Sequence, residues 1–71
     1  MSQDFTITVN GKPRQIALDC TLLRFLEDYQ VNPLLVAVEY NGDIMRRERF
    51  AGIVLQPNDR LEIVHMVGGG A

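Results

Sequence analysis

Seventy-one residues, 46% of them hydrophobic and 23% charged, describe one folded domain rather than a disordered chain. A lone cysteine, Cys20, excludes an internal disulfide and any Cys/His zinc cluster, so stability must come from packing in a cytoplasmic setting. The net charge of -2, with Arg46, Arg47 and Arg49 as the only basic cluster and Glu48 inside it, excludes the basic stripe of a nucleic-acid binder, and no apolar run reaches the roughly 20 residues that span a bilayer.

The N-terminus, Met1-Ser2-Gln3-Asp4, has neither the basic start nor the apolar stretch of a signal peptide. Phe5 to Val9 alternates apolar and polar residues, the period of a half-buried strand. Asn10-Gly11 then marks a hairpin turn, because both residues tolerate positive φ. Arg14 to Leu18 resumes the alternation with Ile16 and Leu18 on one face, and Pro13 belongs at a strand start or edge because it lacks an N–H. The period then changes. Leu22, Phe25, Leu26 and Tyr29 form one stripe of an amphipathic helix of about three turns, with Thr21 or Asp19 as its cap and Asn32-Pro33 as its end. Leu34 to Tyr40 reads as a strand buried on much of both faces. Asn41-Gly42 is a second turn, and Ile44 and Phe50 are expected to plug the core from a short strand and a helical turn. Pro57-Asn58-Asp59 is a turn, and Leu61 to Val67 is the last strand.

The order β-β-α-β, an irregular stretch, and β fits an α+β fold. We expect a ubiquitin-like β-grasp, with a mixed four- to five-stranded sheet and one main helix across one face. The first and last strands should be adjacent and parallel at the centre of the sheet. Phe5, Ile7, Ile16, Leu18, Leu22, Leu26, Val36, Val38, Leu61 and Ile63 are the expected core. The domain should occupy residues 1–67, followed by a tail over 68–71.

That tail, Gly68-Gly69-Gly70-Ala71, carries the chemistry. Bare glycine has the largest backbone freedom and no side chain, so the run makes a thin, extendable thread. Such a thread can enter a narrow enzyme cleft and present a terminal carboxylate to a nucleotide. Joining the carboxylate to AMP supplies a leaving group that a sulfur nucleophile can displace. The plain alternative is a frayed terminus.

The sequence resembles the ThiS family of sulfur carriers in thiamine biosynthesis. The resemblance lies in Val9-Asn10-Gly11, Thr21-Leu22-Leu23 with Phe25-Leu26, and Val36 to Gly42 with Ile44 and Arg47. It continues through Leu55 to Val64 and ends in Val67-Gly68-Gly69-Gly70. It implies a carrier, not an enzyme, with no catalytic side chain, no bound cofactor and no metal. Its Gly70 carboxylate, preceded by Gly69 and Gly68, would be adenylated by a ubiquitin-activating-type, ThiF-like adenylyltransferase that uses ATP and Mg²⁺. A cysteine desulfurase or related donor would supply sulfur to form a thiocarboxylate, and a ThiG-like thiazole synthase would take it. Carriers for molybdopterin, cysteine or another product would share fold and tail. The family pattern ends at Gly-Gly, whereas Ala71 follows here; it is trimmed, tolerated or foreign to the natural protein.

Other residues are read more plainly. Cys20 is a small residue at a strand-to-helix junction, and His65 a partly buried histidine at a strand end. Strand parity places Val64 and Met66 away from the helix, beside the tail, as a partner-docking patch or as a minor cluster with neighbouring strands. A non-covalent ubiquitin-like interaction module needs no glycine thread. A stand-alone enzyme is disfavoured by size and by the lack of a phosphate loop.

Overall fold

The computed structural model describes residues 4–66. The elements are β1 (Phe5–Val9), β2 (Lys12–Ile16), α1 (Leu22–Asp28), β3 (Val36–Tyr40), β4 (Asp43–Met45) and β5 (Arg60–His65), with 3₁₀ turns at Pro33–Leu35 and Arg47–Gly52. The expected boundary between domain and tail, and the glycine tail itself, lie outside the described residues.

The five strands form one mixed sheet in the order β2-β1-β5-β3-β4. β1 and β5 are parallel, through Thr8 opposite Arg60 and Val9 opposite Leu61, and every other pairing is antiparallel. This is the expected β-grasp. Both Asn-Gly turns take the positive φ that their residues tolerate: 51° and 81° at Asn10-Gly11, 50° and 93° at Asn41-Gly42. Pro13 sits in β2, an edge strand, where its missing N–H leaves no ladder bond unmade.

The two turn asparagines also clip β5 from opposite sides. Asn10 Oδ1 accepts from the Ile63 N–H at 2.7 Å, while its Nδ2 donates to the Ile63 carbonyl at 3.1 Å. Its side chain thereby continues a ladder that β1 has left. On the other side, Asn41 Oδ1 accepts from the Arg60 N–H at 2.8 Å, and Asn41 Nδ2 donates to Asp59 Oδ1 at 3.1 Å.

The helix is capped by Thr21, whose hydroxyl accepts from the Arg24 N–H. It is shorter than its apolar stripe suggested. It ends at Tyr29 because Gln30 turns to φ 58° and closes a Schellman motif, with Gln30 N–H to Glu27 and Val31 N–H to Leu26. Asn32 instead caps the following 3₁₀ turn, with Pro33 in its first turn. Leu22, Phe25 and Leu26 are buried against Ile7, Ile16, Val36, Val38, Phe50, Leu55 and Leu61. Tyr29 stacks on Phe25 at 4.5 Å, with the Arg14 guanidinium 6.0 Å from its ring.

Several expectations are corrected. β2 runs over 12–16, not 14–18, and Leu18 is exposed because Asp19, at φ 67°, breaks the alternation before it can return to the core. Leu34 and Leu35 lie exposed on a 3₁₀ turn, so β3 begins at Val36 and buries one face, through Val36 and Val38. Phe50 plugs the core from its 3₁₀ turn as expected, but Ile44 is 75% exposed because it points to the sheet face that no helix covers. Phe5 and Ile63 are only partly buried, and Leu55 is a core residue that no periodicity marked. β5 ends at His65 rather than Val67, which itself lies outside the described residues.

Candidate functional site

β5 sorts its side chains by parity. Leu61 is buried and Ile63 half-buried on the helix side, whereas Glu62 and Val64 point to the open face. Val64 is 61% exposed and Met66, just beyond the strand, 53% exposed, so both expected docking residues lie on the surface next to the segment that leads into the tail. His65 is exposed rather than partly buried, because the helix ends before it can cover that end of the strand.

The register of the sheet enlarges this pair into a face. β3 places Ala37 opposite Val64 and Glu39 opposite Glu62, and β4 places Ile44 opposite Glu39. Ala37, Glu39, Ile44, Glu62 and Val64 line a shallow hollow of about 310 Å³. Ala37, Glu39, Ile44 and Glu62 were missed by sequence reasoning. Only their cross-strand register reveals them, and a single sequence does not carry that register.

The remaining candidates offer no catalytic group. The Cys20 thiol is half-buried, donates weakly to the Thr21 carbonyl at 3.4 Å, and is pushed up in pKa, chiefly by burial and further by the Asp28 charge, against a smaller opposing effect of Arg24. A protonated thiol is a poor nucleophile. Arg46, Arg47 and Arg49 are exposed on the second 3₁₀ segment and its cap, and Arg46 meets Glu48 only at 4.0 Å, a solvated arrangement of little energetic weight. Among the described residues no group of three His, Cys, Asp or Glu side chains is placed to hold a metal, and no helix is long and apolar enough to cross a membrane. Gly68, Gly69 and Gly70 lie outside the described residues.

Comparison with known proteins matches residues 7–70 to the model of the ThiS family. The sulfur carrier protein ThiS of Bacillus subtilis is 38% identical over 65 residues, covering 90% of this chain and 98% of that protein. A thiazole synthase of Magnetococcus marinus is 38% identical over 64 residues, covering 90% of this chain but 20% of that protein, so the chain spans about a fifth of the length of this relative. The crystal structure of the thiamine biosynthesis protein ThiS of Geobacter metallireducens superposes with a TM-score of 0.80 at 32% identity, covering 93% of this chain and all of that one. Fold and sequence thus agree over nearly the whole chain, which belongs to the ThiS family.

Proposed function

We propose that this chain is a sulfur carrier for thiamine thiazole synthesis and that its reactive group is a carboxylate at Gly70. The observation that carries this reading is the family match, which runs through the glycine run to Gly70 and leaves Ala71 beyond it. The carboxylate attacks the α-phosphate of ATP in a ThiF-like adenylyltransferase that uses Mg²⁺, pyrophosphate leaves, and a mixed anhydride with AMP results. The outer sulfur of a persulfide carried by a cysteine desulfurase or related donor displaces AMP to form an acyl disulfide. A second thiol then reduces the S–S bond, leaving the thiocarboxylate on the carrier and a disulfide between that thiol and the donor cysteine. The carrier supplies the electrophilic carbonyl and a docking face around Val64 and Met66, with no side chain of its own as nucleophile. The likeness to thiazole synthases supports a ThiG-like thiazole synthase as the sulfur acceptor. A single half-buried thiol held protonated suits a reducing cytoplasm.

Intact mass spectrometry after incubation with the activating enzyme, ATP and a sulfur donor tests this. A chain ending at Gly70 should gain the mass of one sulfur-for-oxygen exchange. Cys20→Ser should load equally well. Removing Gly69 and Gly70 should abolish loading and leave the thermal midpoint unchanged. Sulfur on Cys20, or loading of the shortened variant, would refute the mechanism. The chain that retains Ala71 should load poorly until trimmed, and efficient loading would refute that part alone.

A further inference from the structure

The open sheet face brings two like charges together. Glu39 and Glu62 stand directly opposite each other on adjacent strands, and like charges so placed repel. Neither Glu39 nor Glu62 forms a salt bridge with another described residue. Arg60 lies on the same face, two residues before Glu62, and lines the adjoining depression with both glutamates without pairing to either.

Around the two carboxylates stand Ala37, Ile44 and Val64, all exposed and apolar. A surface that covers these side chains also removes water from the glutamates. Burying a carboxylate without a counter-charge is strongly unfavourable. A purely apolar or acidic partner is therefore rejected.

We propose that the face bounded by Ala37, Ile44 and Val64 docks a partner protein that brings an arginine or lysine, ringed by apolar side chains, between Glu39 and Glu62. This rests on the reading of the chain as a carrier that must dock on its activating enzyme. It adds the chemistry by which that surface is chosen. The apolar ring supplies contact area, and the glutamate pair supplies selection between partners.

The test is the dissociation constant for the cognate activating enzyme, measured by calorimetry at low and at high salt. Gln is nearly isosteric, so E39Q/E62Q keeps the shape of the face and removes only its charge. We expect binding about tenfold weaker or worse, with a flatter dependence on salt. Glu27→Gln, a neutralisation on the exposed helix surface, should bind like the wild type. Val64→Asp should abolish binding. If E39Q/E62Q binds within about twofold of wild type while Val64→Asp abolishes binding, the face docks without a cation and the proposal fails, although the carrier reading stands. If Val64→Asp also binds normally, the docking face itself is wrong. A wild-type protein that sediments as a dimer and becomes monomeric on Val64→Asp would assign the face to a second copy and overturn the proposal.

Discussion

Phe50→Ala should destabilise the protein by about 3–5 kcal/mol, whereas Ile44→Ala should change stability by less than about 0.5 kcal/mol. Both residues lie in the irregular stretch after the second Asn-Gly turn, and hydrophobicity alone treats them alike. Phe50 is held on a six-residue 3₁₀ segment that packs on α1, and it is almost wholly buried. Truncating it leaves a cavity that its neighbours fill only in part. Ile44 projects from an edge strand into solvent. A domain of this size holds roughly 4–11 kcal/mol of stability, so Phe50→Ala removes a large share of it. Urea unfolding of both variants checks this, and equal midpoints would refute the placement of the two side chains. Ile44→Ala should instead weaken association with the activating enzyme.

Asp59→Ala should cost about 2–4 kcal/mol, more than any other polar substitution in the described chain. Asp59 is a buried carboxylate. It accepts from the Tyr40 hydroxyl at 2.6 Å, from the Asn41 side chain at 3.1 Å and from the Gln56 N–H at 2.8 Å. One side chain therefore ties the turn before β5 to the end of β3 and to the second Asn-Gly turn. Alanine strands all three donors. Asn should be milder, since its carbonyl oxygen still serves Tyr40 and Gln56 while its amide meets the Asn41 amide donor to donor.

Tyr40 adds a pH dependence to this cluster. Burial, then the hydrogen bond to Asp59 and its charge, push the phenol up to about 12 from its ordinary 10.0. The protonated phenol is thus favoured in the folded state. Its contribution is complete below about pH 10 and is lost as the pH rises toward 12. Stability of the wild type relative to Tyr40→Phe should fall across that window. A difference that stays constant with pH would show that the hydroxyl is not so held.

Features encoded locally were legible in the sequence. Asn10-Gly11 and Asn41-Gly42 specify positive φ by residue type alone, and Leu22, Phe25 and Leu26 specify a buried helix face by spacing alone. The parity of β5 likewise placed Val64 and Met66 on the surface. What failed to show depended on tertiary partners. Gln30 ends the helix without the glycine that usually announces such an end. Asp59 looks like any turn aspartate until Tyr40 and Asn41 arrive from distant positions. Leu55 reaches the core because its N–H is held by the Cys20 carbonyl, in a stretch with no period to read. The glutamate pair exists only once β3 and β5 are in register.

The parallel placement of β1 beside β5 also has a mechanical meaning. A partner that draws the segment beyond β5 into a cleft pulls along the strand axis. β1 enters the sheet from the opposite end, so this pull slides the two strands past each other. The bonds from Thr8 and Asn10 to the Asp59 and Leu61 carbonyls, and the Asn10 clip on Ile63, are then loaded together in shear. The antiparallel ladder to β3 is loaded in the same way, from Val36 opposite His65 onward. None of these contacts is peeled one at a time, as the strands of a terminal hairpin would be. The protein can be held by its last strand and tugged without coming apart from that end.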